Sequence, residues 1–436
     1  MSDFDEVVNL ATNRGFVFSA SSIYGGLRSS YDFGPLGALL KKNIADSWWK
    51  STVSNHSNIY PVDTAIIQSP DVWKASGHIS EFSDPLVECE YCNRRYRLDS
   101  VDELVCNNEE CKEKSPNFSK PKEFNLMLET HMGPIQDDDN LVYLRPETAQ
   151  GIFINFSNVL RTTRAKLPFG IANIGKSFRN EITPGQFIFR TREFEQMELE
   201  FFCAESEEEK WFEYWIEKRF KWYLEIGIIK DNIRIREHDE SELSHYSKYT
   251  SDIEYNYPWG WGELEGIANR GTYDLEAHIK ASSEDLTYFD DKSNRKLVPS
   301  VIEPAAGLTR TFFAVLLDAY TEEKVGDDTR IVLKLDKNIA PIKVAILPLS
   351  KKQPLVDLSN EINTLLSQKY STEVDITQSI GKRYRRQDEI GTPYCLTVDF
   401  DSLKDGMVTI RDRDSMEQER VKVNDLMETL EKYYGE

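Results

Sequence analysis

The sequence predicts an α+β fold in which an antiparallel sheet flanked by helices is followed by a small α/β domain. Residues 171–201 contain two stretches of alternating polar and apolar side chains around a glycine-containing loop, which is the pattern of a long antiparallel hairpin. From Pro341 onward, apolar strands such as 344–349 alternate with helical stretches such as 354–369. The change of pattern at Pro341 therefore marks a second, smaller domain.

Local spacing predicts the remaining elements. Pro35 precedes apolar side chains at Leu36, Leu40 and Ile44, a spacing that gives an amphipathic helix with proline in its first turn. The other expected elements are a β-rich run at 59–67, a strand, helix and hairpin over 141–203, a helix at 206–226, strands near 252–279 and 297–303, a helix at 307–320, and a strand with a linker over 331–339.

These elements divide the chain into domains at 1–330 and 341–436, joined by a linker at 331–340. Two insertions are expected in the first domain. One, at about 86–124, carries four of the six cysteines. The other, at about 204–250, is expected to be helical, because it contains the helix predicted at 206–226.

Composition limits the classes of function. No run of 18 apolar residues is present, so no membrane span or membrane partner is expected. The acidic start, residues 1–6, lacks the apolar core of a signal peptide. Six cysteines in 436 residues are too few for a disulfide framework, which makes the protein's expected location cytoplasmic. The net charge of −21 argues against a broad basic surface for nucleic acid.

The charge is unevenly distributed. The residues from Pro341 onward hold 14 basic and 17 acidic side chains, so most of the negative charge lies in the first domain. The C-terminal region also contains the densest basic cluster, Lys382-Arg383-Tyr384-Arg385-Arg386. Such a cluster is either a local RNA-binding patch or a solvated helix face.

Period-two alternation assigns the side chains of the return strand of the hairpin to two faces. Met197, Leu199 and Phe201 share one face, which is therefore the core face. The opposite face carries Arg190, Arg192, Phe194, Gln196, Glu198 and Glu200. This combination suits a nucleotide, because arginine binds phosphate, an aromatic ring stacks on adenine and carboxylates bind amines.

A second candidate site lies at 301–310. A strand that ends at Glu303 turns through Pro304 and Gly307 and enters a helix with Arg310 in its first turn. Helix N-termini favour anions, and an arginine there adds a second contact to phosphate.

These stretches resemble a known family. The sequence Phe178-Arg179-Asn180-Glu181, followed by a loop and Phe194, resembles motif 2 of class II aminoacyl-tRNA synthetases, and 307–310 resembles motif 3. The helix from Leu36 with strand 59–67 resembles motif 1, the dimer interface of that family. Four further stretches, 31–37, 144–151, 194–198 and 261–266, resemble the glycine-specific members, in their dimeric bacterial single-chain form. The tail around 382–389 resembles the anticodon-binding domain of class IIa enzymes.

The resemblance implies a glycine–tRNA ligase with tRNA(Gly), glycine and ATP with Mg²⁺ as partners, acting as a homodimer. Arg179 and Arg310 would be catalytic and hold the α- and γ-phosphates. The implied ATP-binding residues are Arg179, Asn180, Glu181, Phe189, Arg190, Thr191, Arg192, Glu193, Phe194, Glu263, Leu264, Gly307, Leu308, Thr309 and Arg310. Glu263 would lie near the magnesium ion, and Lys382, Arg383, Arg385 and Arg386 would contact tRNA.

The resemblance also implies a glycine site. Glu147, Glu198 and Glu303 would surround the ammonium group. The complete implied set is Arg97, Glu147, Phe194, Glu195, Gln196, Met197, Glu198, Glu303, Pro304, Ala305, Ala306 and Gly307. The family often has serine at the position of Ala305, which is a departure. A filled pocket rejects every larger amino acid by steric exclusion, so no editing domain is expected.

The four cysteines of the insertion form two pairs. Cys89 and Cys92 have the spacing of a zinc knuckle, and Cys106 and Cys111 form a looser pair. They either bind a structural Zn²⁺ or are simple buried thiols.

Two rival functions remain at this stage. A sister class II enzyme for serine, threonine or proline would need side-chain ligands in its pocket, and the trio of glutamates argues against it. A non-catalytic synthetase-like RNA-binding protein usually lacks the motif arginines, whereas Arg179 and Arg310 are both present. Amino-acid-dependent exchange of pyrophosphate into ATP discriminates among them.

Overall fold

A computed structural model describes residues 4–98, 106, 108, 111, 117–181, 185–239, 242–243, 247–291 and 293–435. Within these ranges, no helix is both long and apolar enough to cross a membrane.

The helices are numbered in chain order. They are α1 (Phe4–Asn13), α2 (Pro35–Trp49), α3 (Pro70–Ala75), α4 (His78–Glu81), α5 (Ala149–Phe153), α6 (Phe156–Thr163), α7 (Glu208–Glu225), α8 (Tyr273–Ser282), α9 (Leu308–Ala319), α10 (Gln353–Leu366), α11 (Ile380–Ile390), α12 (Ser402–Asp405) and α13 (Leu426–Tyr434).

The strands are numbered in the same way. Those before residue 204 are β1 (Val17–Ser19), β2 (Tyr31–Phe33), β3 (Ile59–Pro61), β4 (Ile67–Gln68), β5 (Ser83–Glu88), β6 (Arg95–Arg97), β7 (Lys122–Asn125), β8 (Leu128–His131), β9 (Leu141–Leu144), β10 (Phe169–Phe178) and β11 (Glu193–Cys203). Those after it are β12 (Ile233–Glu237), β13 (Tyr249–Tyr257), β14 (Gly260–Gly271), β15 (Tyr288–Asp290), β16 (Arg295–Leu297), β17 (Ser300–Gly307), β18 (Tyr320–Val325), β19 (Asp328–Leu333), β20 (Val344–Pro348), β21 (Thr372–Val374), β22 (Tyr394–Val398), β23 (Met407–Asp412) and β24 (Gln418–Lys422).

A seven-stranded sheet forms the centre of the first domain. Its strand order is β12-β13-β14-β17-β11-β10-β3, and all neighbours are antiparallel except β10 and β3. The predicted hairpin is β10 and β11, which pair Ser177 with Phe194 and Asn173 with Glu198. The expected antiparallel sheet flanked by helices is therefore confirmed.

One face of this sheet is apolar and is covered by α2, α7 and α9. Met197 and Leu199 of β11 are fully buried and pack in one cluster with Trp48, Trp222 and Phe312 of those helices. Burial of each such side chain contributes about 1.5–3 kcal/mol. The core face predicted by alternation is thus correct, and it fixes which side of the sheet is left for chemistry.

The opposite face changes character along its strands. Ile171, Phe202 and Val301 lie at one end in a cluster with residues of α5 and α6. Further along the same face, Glu198 of β11 and Glu303 of β17 replace the apolar side chains. The helices therefore close one end of this face and leave a polar cavity at the other.

The C-terminal domain contains a mixed five-stranded sheet in the order β21-β20-β22-β23-β24, in which the first three strands are parallel. It is attached to the first domain by buried charge. Arg330 of β19 is fully buried and donates to both carboxylate oxygens of Asp388 in α11 at 2.8 Å. Arg14 also pairs with Glu389 of the same helix.

Three segments differ from the expected elements. Residues from Tyr273 form α8, with acidic side chains in its first turn, where a strand was expected to continue to 279. The segment 204–250 contains α7 but also β12, an edge strand of the central sheet. The expected linker, 331–340, begins inside β19. The bounds of the domains and insertions stay a prediction.

Candidate active site

A cavity of about 320 Å³ lies on the polar face of the central sheet. Its walls come from β11, β14 and β17 and from the loop between β10 and β11. Of the residues implied by resemblance, those lining it are Glu147, Arg179, Glu181, Phe189, Arg190, Thr191, Phe194, Glu195, Gln196, Glu198, Glu263, Leu264, Glu303, Ala305, Gly307, Thr309 and Arg310. Four separate stretches of the sequence, at 147, 179–198, 263–264 and 303–310, are thus brought to one site.

Several implied residues do not line the cavity. Met197, Ala306 and Leu308 are buried in the apolar core on the other face of the sheet, so their side chains are not ligands. Pro304 is also buried and lies outside the cavity wall. The side chain of Arg97 lies outside the described part of the structure.

Three polar residues of the implied ATP set have other contacts. Asn180 donates its backbone N–H to the oxygen of Leu126 at 2.8 Å. The Arg192 guanidinium donates to the backbone oxygen of Arg28 at 3.3 Å, and Glu193 pairs with Lys176. None of the three lines the cavity, so their assignment to ATP loses support.

Arg179 lies directly after β10 and points into the cavity. Its guanidinium carbon is 5.3 Å from the ring centre of Phe194 and 5.3 Å from that of Phe82. Its Nε donates to the backbone oxygen of Pro146 at 3.1 Å. The guanidinium is therefore held between two aromatic rings, which fixes a donor group for an anion.

Arg310 lies in the first turn of α9 and lines the same cavity. Its Nη1 donates to a carboxylate oxygen of Glu263 at 3.1 Å and to the Glu263 backbone oxygen at 3.2 Å. Its guanidinium carbon lies 4.7 Å from the ring centre of Phe189. Two arginines in one cavity, both in contact with aromatic rings, can bind a polyphosphate.

Glu198 is buried on β11 and lines the cavity. One carboxylate oxygen accepts from the backbone N–H of Thr148 at 2.9 Å and from its hydroxyl. The other accepts from the Gln196 amide at 2.6 Å. Burial and the nearby charge of Glu147 raise the pKa of Glu198 to about 7.

Glu303 and Glu147 complete a group of three buried acids. Arg270 donates to Glu303 at 2.9 Å and to both oxygens of Asp274, at 2.7 and 2.8 Å. Burial, opposed by Arg270 and reinforced by Glu198 and Glu147, raises the pKa of Glu303 to about 8. The cavity lining contains more acidic than basic side chains, which suits a small cation.

Glu147 behaves differently from the other two acids. Burial opposes its ionisation, but His78, Arg270 and the Gln150 amide outweigh burial and hold its pKa well below the usual range. Gln150 donates to it at 3.1 Å, and His78 Nε2 lies 3.3 Å from its carboxylate. Glu147 is therefore the acid that carries a permanent charge in the empty cavity.

Sequence reasoning gave no role to several residues that shape this site. They are His78, Thr148, Gln150, Arg270 and Asp274. Their positions relative to one another depend on how α4, α5 and α8 pack on the sheet. Two of the contacts are local in sequence, Gln150 to Glu147 and Arg270 to Asp274. The contacts of His78, Thr148 and Arg270 with the three acids join remote segments, and no spacing in the sequence signals them.

The four cysteines of the insertion converge outside the cavity. The Sγ atoms of Cys89, Cys92, Cys106 and Cys111 all lie within 4.8 Å of one another. A tetrahedral zinc with Zn–S bonds of about 2.3 Å requires Sγ separations of roughly 3.8 Å. The set therefore fits a four-thiolate metal site after small side-chain adjustments.

The basic cluster of the tail is only partly available to RNA. Arg383 is buried and donates to the backbone oxygens of Pro348 and Asp375, at 2.6 and 3.0 Å, so its assignment to tRNA binding loses support. Arg386 pairs with the Asp375 carboxylate at 2.5 Å. In the described structure, Lys382 and Arg385 have no ion pair, and they remain the candidates for phosphate contacts.

Comparisons with known proteins agree with this geometry. Residues 129–320 match the family model "tRNA synthetase class II core domain (G, H, P, S and T)", and residues 343–433 match "Anticodon binding domain". The glycine–tRNA ligase of Acetivibrio thermocellus is 53% identical over 452 residues, covering 98% of this chain and 97% of the relative. Those of Bifidobacterium longum and Corynebacterium glutamicum are each 51% identical, covering 100% and 98% of this chain and 94% and 97% of the relatives. The cavity brings three buried acids and two arginines together, and half of the chain's residues are identical to these relatives over nearly its whole length. The chain therefore belongs to the glycine–tRNA ligase family of class II aminoacyl-tRNA synthetases.

Proposed function

We propose that this chain is a glycine–tRNA ligase, which activates glycine with ATP and transfers it to the 3′ end of tRNA(Gly). One observation carries the proposal for the site itself. Glu147, Glu198 and Glu303 line the same cavity as Arg179 and Arg310. Such a cavity has anionic groups for an ammonium and cationic groups for a polyphosphate.

In the first step, a carboxylate oxygen of glycine attacks the α-phosphorus of ATP. The bond between the α-phosphorus and the α,β-bridging oxygen breaks, pyrophosphate leaves, and glycyl-adenylate forms. Arg179 would neutralise charge on the α-phosphate and Arg310 charge on the γ-phosphate. Because both guanidinium groups are already held by aromatic rings, little reorganisation accompanies the reaction.

Phe194 and Phe189 would contact the adenine side of the nucleotide. Glu263 presents carboxylate oxygens beside Arg310, and oxygen donors suit the Mg²⁺ that accompanies ATP. When bound, that ion would supply further neutralisation of the phosphates.

In the second step, a ribose hydroxyl at the tRNA 3′ end attacks the carbonyl carbon of the adenylate, and AMP leaves. None of the described cavity residues stands out as a base for this hydroxyl. We therefore propose that a phosphate oxygen of the adenylate takes the proton.

Selection of glycine would depend on charge and space. The three acids would hold the ammonium. Ala305, which is paired with Glu198 in the β11–β17 register, forms part of the cavity wall beside it. A methyl group there leaves little polar contact for a hydroxyl-bearing substrate. A larger amino acid is excluded sterically rather than bound more weakly.

The test is glycine-dependent exchange of labelled pyrophosphate into ATP, with each of the other amino acids as a separate reaction. Exchange with glycine alone, followed by charging of tRNA(Gly), is the expected result. Exchange with serine or alanine and none with glycine would contradict the proposal. Absence of exchange with every amino acid, in folded protein, would support the non-catalytic alternative.

We propose that the enzyme is a homodimer. The hairpin of β1 and β2, which leads into α2, exposes Ile23, Tyr24 and Leu27 at 86%, 87% and 59% of their surface. Exposed apolar side chains clustered on one element are typical of an interface. They lie next to the element that resembles motif 1, so a second copy of the chain is the proposed partner.

We propose that the four cysteines bind one structural zinc and that the tail contacts the anticodon region of tRNA through Lys382 and Arg385. The fit of four thiolates to tetrahedral geometry supports the first. The family match of residues 343–433 supports the second. The proposed location of the enzyme is cytoplasmic, where its tRNA partner functions.

A further inference from the structure

The cysteine-bearing insertion is joined to the rest of the domain by a stem formed by β5 and β7, which are antiparallel. The turn that leads into this stem, Ser76–Phe82, packs on a small core that includes Trp73, Met127 and Tyr143. Its backbone is fixed there, since the Asn125 amide donates to the oxygen of Ile79 at 2.9 Å and the Leu126 N–H donates to that of Phe82 at 3.1 Å. We call residues 76–82 the stem turn.

His78 is the residue of the stem turn that reaches Glu147. It is buried, with its ring 5.5 Å from that of Trp73 and 5.4 Å from that of Phe82. Its Nδ1 lies 2.8 Å from the Ser76 hydroxyl, and its Nε2 lies 3.3 Å from the Glu147 carboxylate. Because two rings and a hydroxyl fix the imidazole, His78 limits the orientations open to Glu147.

Phe82, at the other end of the stem turn, touches Arg179. The guanidinium of Arg179 lies between the rings of Phe82 and Phe194, 5.3 Å from each ring centre. The backbone N–H of Asn180, the residue after Arg179, donates a hydrogen bond to the backbone oxygen of Leu126. The Leu126 N–H in turn donates to the backbone oxygen of Phe82. The stem turn therefore contacts one residue of the proposed ammonium site and one of the proposed phosphate site.

We propose that the stem turn is part of the activation site and that His78 and Phe82 are positioning residues. His78 sets the orientation of the Glu147 carboxylate, and Phe82 sets that of the Arg179 guanidinium. The inference rests on the proposed roles of Glu147 and Arg179. It assigns to the root of the cysteine-bearing insertion a task in the first reaction step, for which errors of about 1 Å reduce rates strongly.

The first test compares two substitutions of His78 that differ in which ring nitrogen they replace. His78→Asn retains a polar atom near Nδ1 but none near Nε2, whereas His78→Gln retains one near Nε2. In pyrophosphate exchange, His78→Asn should raise the KM for glycine about tenfold and change the KM for ATP less than twofold. His78→Gln should stay within about threefold of the original enzyme for both substrates.

A merely structural role for His78 gives a different result. The assignment would be overturned by equal glycine KM values in His78→Asn and His78→Gln. A parallel rise in the KM for glycine and the KM for ATP in His78→Asn would also overturn it. Should His78→Asn fail to fold, Ser76→Ala removes the other partner of the imidazole with less change in packing. It should raise the glycine KM selectively, and an unchanged glycine KM in folded Ser76→Ala would also overturn it.

Substitution of Phe82 should raise the KM for ATP more than the KM for glycine, which is the reverse of the pattern expected for His78. Phe82→Leu keeps an apolar side chain against Trp73 and Met127 but removes the ring over Arg179. The KM for ATP should rise about three- to tenfold, because a cation–π contact is lost on the phosphate side. The KM for glycine should rise less, since Trp73 and Ser76 still hold the imidazole that the Phe82 ring also touches. A selective rise in the glycine KM would contradict the assignment of Phe82.

A double-mutant cycle separates this inference from the proposed function. If His78 acts through Glu147, His78→Asn should add less than a further twofold in glycine KM to the Glu147→Gln enzyme. Additive effects would overturn the inference. An unchanged glycine KM in Glu147→Gln alone contradicts the proposed ammonium role of Glu147. A raised KM in Glu147→Gln with an unchanged KM in His78→Asn contradicts only the role of His78.

Discussion

Replacement of Glu198 by glutamine is the sharpest test of the proposed ammonium site. The carboxylate is 2% exposed, and glutamine has nearly the same shape. Its amide oxygen would keep the bond from the Thr148 N–H. Its amide nitrogen would face the side-chain amide of Gln196. The amide oxygen of Gln196 has no hydrogen-bond partner in the described structure, and it can accept from this nitrogen once the Gln196 amide has flipped. The substitution therefore removes a charge and preserves the packing.

The expected magnitude follows from the loss of one charge-assisted contact to the glycine ammonium. Such a contact contributes about 1.5–3 kcal/mol, which corresponds to a rise of roughly 10- to 150-fold in the glycine KM. The KM for ATP should change less than about threefold, since the arginines are untouched. Both constants are measured by pyrophosphate exchange.

The same strand offers a matched control. Glu200 is fully buried on the same face, two residues further along, and neither of its oxygens has a hydrogen-bond partner among the described residues. Burial, reinforced by the charge of Glu303, raises the pKa of Glu200 well above its usual range, which favours its neutral form. Glu200→Gln should therefore leave the glycine KM within about twofold.

The pH dependence of the glycine KM is an independent test of the ammonium site. Glycine binds as an ammonium, which requires ionised acids, and burial raises the pKa of Glu198 to about 7 and that of Glu303 to about 8. The glycine KM should therefore rise as the pH falls from about 8 to about 6, because protons compete with the ammonium. Glu198→Gln should flatten the part of this dependence near pH 7.

Two results would refute the reasoning. If glycine and ATP KM values rise equally in Glu198→Gln, the residue supports the fold or the nucleotide rather than the ammonium. If Glu200→Gln weakens glycine binding as much as Glu198→Gln does, the effect reflects any change in this part of the strand, and the account of glycine selection fails.

Three further predictions concern the rest of the protein. Arg179→Ala and Arg310→Ala should each slow adenylate formation by about 100- to 1000-fold in single-turnover measurements, and a loss below tenfold would exclude the phosphate role. Purified protein should hold about one zinc per chain, and Cys89→Ser should release it, as measured by atomic emission; metal-free protein from zinc-containing medium would contradict the site. Reversing the charge of Lys382 and Arg385 together should raise the KM for tRNA in charging and leave glycine-dependent exchange unchanged, whereas loss of exchange would indicate misfolding.

The sequence by itself determined the order of the elements, the core face and the family. Alternation along 193–203 separates Met197 and Leu199 from Glu198, and the structure buries the first two against α2 and α9 as expected. These features are local, since the direction of a side chain in a strand follows from its position in the chain. Short motifs are local as well, and the resemblance to the family's motifs identified Arg179 and Arg310.

Availability of a side chain was decided only by tertiary structure. Arg383 and Lys382 are neighbours in one basic cluster, yet the first is buried against Pro348 and the second is exposed. Which side of α11 faces the sheet depends on the packing of β20 and β22 against it, and a run of like charges carries no information about that.

The partners of the buried acids were likewise decided by tertiary structure. Glu147, Glu198 and Glu303 look equivalent in sequence, but the structure gives the first a partner in His78 and leaves the other two with raised pKa values. The ionisation of a buried carboxyl depends on the charges and donors within a few ångströms of it. Those groups come from α4, α5 and β14, which are remote in the chain and meet only when the sheet and its helices are assembled.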